Sequence, residues 1–236
     1  SVKGKKIAVI KGVVDSIHDP EIIAAFNKSL DYLKSKGAIV DEVEIDHDLL
    51  MAIYPTYIII SCAEATSNNA NLDGIKFGNR MPGDTYEEVI TNTRTAGFSE
   101  LIKRRFVIGS FSLLRENRDE LLTRAQKVRR LIVNAINNVF KNYDGIYLPA
   151  SPSTAPLVKA SSGDKLSSEY LIADNHLAIG NFGGFPSITL PIGFKNGLPF
   201  GGNLTCAPFE ESKLFSIAKE IENGSGLKNI SAKEAK

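Results

Sequence analysis

Residues 5–45 constrain the fold more than any other stretch. Lys5-Lys6-Ile7-Ala8-Val9-Ile10 has the pattern of a short buried strand. Asp19-Pro20 then opens a helix with an acidic N-cap and proline at the first helical position, and Ile22, Phe26, Leu30 and Leu33 form its inward stripe. Gly37 closes that helix, and residues 38–45 alternate as a second strand. Strand, crossover helix and strand make a β-α-β unit, the repeat of a sheet with helices on its faces, so the class is α/β. No Gly-x-Gly-x-x-Gly follows Ile10, which removes a dinucleotide-binding turn.

A long helical pattern follows over 48–72, with Leu50, Ile53, Tyr54, Tyr57, Ile58 and Ser61 on one face and Pro55 at an early turn or a kink. Tyr57 faces inward there, and on pattern alone it reads as an ordinary core tyrosine. Residues 79–84, with Pro82-Gly83, read as a loop and the best candidate for a mobile edge. From Ser99 a further helix places Leu101, Arg105, Ile108 and Ser112 on one stripe, so Arg105 faces the core while Lys103 and Arg104 point to solvent. A buried guanidinium must be paired, either in a structural ion pair or with a ligand. Residues 118–142 form an amphipathic scaffold helix with Leu121, Ala125, Val128, Ile132, Ala135 and Val139 inward.

Ile146-Tyr147-Leu148 is a strand, and residues 149–156, stiffened by three prolines, follow its carboxyl end, the edge of an open α/β sheet where ligands lie. In the stretch 169–194, Tyr170, Leu171, Asp174, Leu177 and Ala178 share one helical face, so Asp174 is an acid on an apolar stripe. Gly183-Gly184-Phe185-Pro186 ends that helix in a tight turn, and the strand that follows stops at Pro191. An inward acid beside such a turn is where a ligand is expected. His176, two residues on, falls off the stripe in a loop or surface position. A turn at Asn196-Gly197, a glycine-rich return at Gly201-Gly202 and a last helix over 210–222 complete the order, and the polar tail 223–236 is expected to be flexible.

The chain of 236 residues reads as a single α/β unit. Its net charge of +1 supplies no field that would hold a nucleic acid or an anionic membrane unaided. Cys62 and Cys206 lack any ligand or C-x-x-C spacing and read as buried thiols in a reducing compartment. The longest apolar run, Ile58-Ile59-Ile60, is too short to span a bilayer, which points to a cytoplasmic protein. There is no Gly-x-Ser-x-Gly elbow, and the three histidines form no metal pair, so neither a nucleophile nor a metal site is visible. What remains is an acid, a base and a tyrosine turned inward. Such a trio could grip a zwitterionic amino acid, with Arg105 forked onto the α-carboxylate and Asp174 on the α-ammonium.

The succession Glu64-Ala65-Thr66-Ser67-Asn68, Leu72-Asp73-Gly74-Ile75-Lys76-Phe77-Gly78, Arg94-Thr95-Ala96-Gly97-Phe98 and Lys103-Arg104-Arg105 carries a resemblance to a known family. Continued by Ala125-Gln126-Lys127-Val128-Arg129-Arg130, residues 149–152 and Asn181-Phe182-Gly183-Gly184-Phe185-Pro186-Ser187-Ile188, it resembles the amidase-signature family. Within that family it is similar to the A subunits of glutamyl-tRNA(Gln) or aspartyl-tRNA(Asn) amidotransferases over nearly the whole chain. The resemblance implies an α/β/α fold with a mixed sheet that hydrolyses glutamine to glutamate and ammonia through a Ser–cis-Ser–Lys triad. Subunits B and C are the implied partners. The ammonia passes to a partner subunit that contacts the tRNA and amidates the misacylated end with ATP and magnesium. Arg105 matches the family's arginine for the glutamine α-carboxylate, Asp174 its aspartate for the α-ammonium, and Tyr57 its pocket tyrosine.

The family's lysine, glycine/serine-rich signature and nucleophilic serine precede the strand that matches Lys5-Lys6-Ile7-Ala8-Val9-Ile10, so the likeness is to the C-terminal half alone. On that reading the sheet is incomplete, no catalytic residue or cofactor site lies in these residues, and the chain by itself is inactive. Two departures fall near the pocket: Ala150 replaces a threonine, and Gly202-Asn203-Leu204-Thr205-Cys206 replaces Leu-Gln-Ile-Ile-Gly. The alternatives are another amidase-signature amide hydrolase and a non-catalytic binding or assembly module.

Overall fold

The computed structural model of the protein describes residues 1–157 and 175–230. The chain folds into two compact units, Ser1–Tyr54 with Arg130–Lys236, and Pro55–Arg129. The first holds the sheet. Among the described residues its five strands are β1 (Lys6–Ile10), β2 (Ile39–Val43), β3 (Gly145–Pro149), β4 (Ser187–Lys195) and β5 (Leu198–Thr205), in the order β2-β1-β3-β5-β4. β1 runs parallel to β2 and β3, with Ile7 opposite Val40 on one side and Gly145 on the other. β5 is antiparallel to both β3 and β4, so the sheet is mixed, and it does not close. The α/β class and the β-α-β opening are as the sequence indicates.

Placement in the sheet explains composition. β1 is flanked on both sides, and Ile7, Ala8, Val9 and Ile10 are buried. β2 is an edge, and its Asp41 and Glu42 are exposed charges of the kind that discourage edge-to-edge pairing. A single helical turn, α1 (Lys11–Val14), leaves β1. The crossover helix α2 (Pro20–Ser35) then begins where Asp19 accepts hydrogen bonds from the N–H groups of Glu21 and Ile22, and it buries Ile22, Phe26, Leu30 and Leu33. Phe26 packs its ring 5.1 Å from that of Tyr147, whose hydroxyl lies 3.1 Å from Ser29. The C-terminal helix α9 (Glu211–Ser225) packs beside α2 and against β4, burying Leu214, Ile217, Ala218 and Ile221. Tyr147 thus faces the α2 layer. Its neighbours Ile146 and Leu148 face the opposite layer, where they meet Ile136 of α7 (Arg124–Phe140) and Ile179 of α8 (Ala178–Gly183). Helices cover both faces of a mixed sheet, the expected α/β/α arrangement.

The strand after Gly183-Gly184 does not stop at Pro191. β4 continues through a register shift between Pro191 and Gly193 as far as Lys195. As an edge strand it tolerates a residue without an N–H, and the bulge absorbs the irregularity. Asn196 and Gly197, with φ of 52° and 77°, form the two-residue turn into β5 that matches strand twist. The long helical pattern near residue 48 is two helices, α3 (His47–Met51) and α4 (Ile53–Asn68), with Pro55 in the first turn of α4. The most apolar 18-residue stretch within His47–Asn68 reaches a mean hydropathy of 1.4, long and apolar enough to cross a membrane by length and composition, although the three-isoleucine run alone does not suggest it. The last helix runs to Ser225, three residues beyond its expected end, and residues 231–236 lie outside the described set. Both cysteines are free and buried.

Candidate functional site

Tyr57 and Arg105 lie in the helical unit Pro55–Arg129; Asp174 lies outside the described residues. The unit holds most of α4, then α5 (Tyr86–Gly97) and α6 (Glu100–Leu113). Arg105 is not directed into a core. It is exposed, and Leu101, its supposed neighbour on an inward stripe, is 46% exposed. The buried residues of α6 are Gly109 and Ser112, with Ile102 and Phe106 half-buried, so the packed face lies one residue round from the expected one. The marker sequence periodicity overlooks is Gly109. A mid-helix glycine costs about 1 kcal/mol relative to alanine, so its presence needs a reason. Here a Cβ would stand 2.1 Å from the Cys62 carbonyl oxygen and 2.2 Å from the Thr66 hydroxyl of α4.

α4 and α6 therefore cross at backbone contact. The Thr66 hydroxyl donates to the Cys62 carbonyl of its own helix at 2.8 Å, and the Phe106 carbonyl of α6 lies 3.3 Å from it as the weaker arm of a shared bond. Tyr57 lies five residues before Cys62 on α4 and Arg105 four residues before Gly109 on α6, each roughly one turn or more from the crossing at 1.5 Å per residue. Tyr57 is half-buried, whereas the buried face of α4 carries Ile53, Thr56, Ile60 and Ala63. Burial raises the Cys62 thiol above its ordinary pKa, and the nearby Arg105 charge opposes that rise without cancelling it. Arg105 is thus an exposed cation on α6 whose charge is felt at Cys62, and it does not point into a core.

The loop that precedes α5 is tied down rather than loose. Thr93 accepts from the Met81 N–H at 3.0 Å, and the Asn92 amide donates to the Pro82 carbonyl at 2.8 Å. Thr85 and Glu88 close a capping box at the start of α5.

In the sheet unit a small recess lies beside the carboxyl ends of β1 and β3, lined by Ile10, Leu148, Ile179, His176, Asn203 and Thr205 among others. His176 is 2% exposed, not at the surface. Residues 175–177 form a turn before α8, so the helical offset that places His176 off the stripe does not apply, and Leu177, expected on that stripe, is 39% exposed. The Asn203 amide donates to Thr189 at 2.9 Å and its carbonyl accepts from Thr205 at 3.1 Å, a polar row on the sheet face below α8. Ser151 donates to the Ser153 carbonyl, a local turn contact. Among the described residues no group of three His, Cys, Asp or Glu side chains could hold a metal ion.

Comparison with known proteins adds to this geometry. A family model described as Amidase matches residues 1–215. The A subunit of glutamyl-tRNA(Gln) amidotransferase from Xanthobacter autotrophicus is 38% identical over 232 residues, covering 96% of this chain and 46% of the relative. The protein of the same name from Agathobacter rectalis is 36% identical over 235 residues, covering 99% and 46%. The crystal structure of the A subunit from Thermotoga maritima is similar with a TM-score of 0.65 at 30% identity, over 94% of this chain and 43% of that one. A bacterial aryl acylamidase of the amidase-signature enzymes superposes with a TM-score of 0.71 at 17% identity over 95% and 44%, a likeness of fold alone. The chain spans about half the length of the curated relatives it matches.

Proposed function

Because this chain belongs to the amidase family, we propose that it is the substrate-binding half of the glutaminase component of a glutamyl-tRNA(Gln) amidotransferase. The observation that carries the reading is the 38% identity to a glutamyl-tRNA(Gln) amidotransferase component along 96% of the chain, against 17% to the aryl acylamidase of similar fold. In this reading the exposed Arg105 guanidinium forks onto the α-carboxylate of glutamine, Asp174 takes the α-ammonium, and Tyr57 is the tyrosine that contacts the substrate. Solvent access suits a group that must meet an incoming ligand, and an arginine is preferred to a lysine because its planar donors match both carboxylate oxygens.

The remaining chemistry belongs to other parts of the enzyme. The nucleophile and its lysine reside in the signature half, and ATP, magnesium and the tRNA engage a partner subunit rather than this chain. The assembly is cytoplasmic, with subunits B and C as partners, and the 236-residue chain alone does not hydrolyse glutamine. The test is ammonia release by the parent enzyme from free glutamine and from a simple aliphatic amide of equal length. Preference for glutamine by on the order of a hundredfold in kcat/KM is expected, the worth of one or two charge-assisted bonds. Equal rates would favour a different amide hydrolase, and no ammonia from either would favour a non-catalytic assembly module.

A further inference from the structure

Arg94 has no role in the reading above, yet it is heavily engaged within the helical unit. Its Nη1 donates to the Asn69 carbonyl at 2.8 Å, which also accepts from the Leu72 N–H, and to the Leu72 carbonyl at 3.1 Å, both just beyond the C-terminal end of α4. Its guanidinium carbon lies 5.0 Å from the Phe98 ring centroid and 5.3 Å from that of Phe106. The two rings meet edge to face, 4.9 Å apart at 89°. A planar cation with one nitrogen between two carbonyls and its body against two rings uses what arginine has and lysine lacks: a rigid planar donor set and a stacking surface.

These partners belong to three elements. Asn69 and Leu72 follow α4, Arg94 and Phe98 end α5, and Phe106 lies on α6 immediately after Arg105. Gly109 and Thr66 fix the middle of the α4–α6 crossing, but two helices in contact at one point can still pivot. Arg94 supplies a second point, at the residue next to Arg105. We propose that Arg94 is a positioning residue that sets the angle of α6 over α4 and so aims Arg105 at its ligand. This rests on the reading that Arg105 holds the substrate α-carboxylate. A misplacement of about 1 Å at a binding group can cost a hundredfold in rate, so the lever is long enough to matter.

The test is a double-mutant cycle in the parent enzyme, reading KM and kcat for glutamine in Arg94→Lys, Arg105→Ala and the pair. Arg94→Lys is expected to raise KM about tenfold with kcat within about twofold, because the aim of Arg105 changes and the reacting groups do not. In the Arg105→Ala background the same change should raise KM by less than about twofold, since no guanidinium remains to be aimed. Equal effects in the two backgrounds, or an unchanged KM in folded Arg94→Lys, would overturn the role while leaving the glutamine reading intact. An Arg105→Ala enzyme with unaltered KM would remove the glutamine reading and this role with it. If Arg94→Lys fails to fold, Phe98→Leu, which removes one ring and keeps both hydrogen bonds, enters the same cycle with the same expectations.

Discussion

Replacing Gly109 by alanine tests the contact on which the geometry of the helical unit depends. The added Cβ would stand 2.1 Å from the Cys62 carbonyl oxygen, 2.2 Å from the Thr66 hydroxyl and 2.6 Å from the Cys62 carbonyl carbon. A carbon approaches a carbonyl oxygen to about 3.3 Å, so α4 and α6 must part by about 1 Å. Backbone atoms supply two of the three clashes, and the third is a hydroxyl engaged with the Cys62 carbonyl, so no flexible side chain can swing aside. Overpacking of this kind costs about 1–3 kcal/mol. Disturbing the Thr66 hydroxyl, shared between the Cys62 and Phe106 carbonyls, adds up to about 1 kcal/mol. Against these, alanine gains about 1 kcal/mol in helix propensity. The net is a loss of about 1–3 kcal/mol, a fall in Tm on the order of 5 °C for a chain of this size, measured by calorimetry or by urea unfolding. If the variant is as stable as the parent, or more so, propensity alone governs the position and the helices do not cross at Gly109.

Two further predictions concern ionisation. Burial alone would raise the Asp144 carboxyl, but the Lys6 N–H and the Lys5 and Lys213 ammonium groups outweigh it and hold its pKa below the ordinary carboxylate value. A group depressed in the folded state stabilises above its unfolded pKa of about 3.9 and loses that contribution as pH falls through the folded value. Asp144→Asn should therefore lower the urea midpoint at pH 7 and converge on the parent as the pH drops below about 3.9; a difference independent of pH would contradict the pairing. Burial also raises both thiols, Cys206 to about 12 and Cys62 in the same direction. At about pH 8 neither should react with a thiol reagent in the native protein, and both should react in urea; rapid native labelling at either position would contradict their placement.

Legibility varies with how much each element depends on its own residues. α2 is fully readable because its cap, its proline and its stripe of Ile22, Phe26, Leu30 and Leu33 are all local and agree. α9 is readable from its stripe of Leu214, Ile217, Ala218 and Ile221 alone, and without a capping signal its end is placed less well. α4 is apolar on nearly every side, so periodicity carries little direction, and its packed face includes Thr56 while Tyr57 sits at the margin. On α6 the residue that defines the packed face is Gly109, which adds nothing to a hydrophobic pattern. The consequence reaches the candidate site: a stripe through Leu101 turns Arg105 inward on paper, and the folded helix has no such stripe. His176 is misplaced when the helix is extended through a turn, a boundary that sequence locates least well. The extension of β4 past Pro191 depends on its position at the sheet edge, which only the tertiary pairing decides. Contacts such as Arg94 to the Leu72 carbonyl are likewise not expressed by hydrophobic periodicity.

Removing charges from the substrate and from the protein in parallel tests the proposed grip most directly. Glutamine and its analogue lacking the α-carboxylate, 4-aminobutanamide, would be compared in the parent enzyme and in Arg105→Ala by the kcat/KM for ammonia release. Loss of the carboxylate should cost on the order of a hundredfold in the parent, as expected for a charge-assisted bond, and little or nothing in Arg105→Ala. The analogue lacking the α-ammonium should show the matching pattern with Asp174→Asn. If the penalty for removing the carboxylate is the same with and without Arg105, the guanidinium does not hold that group, and the substrate-binding role proposed for this chain fails.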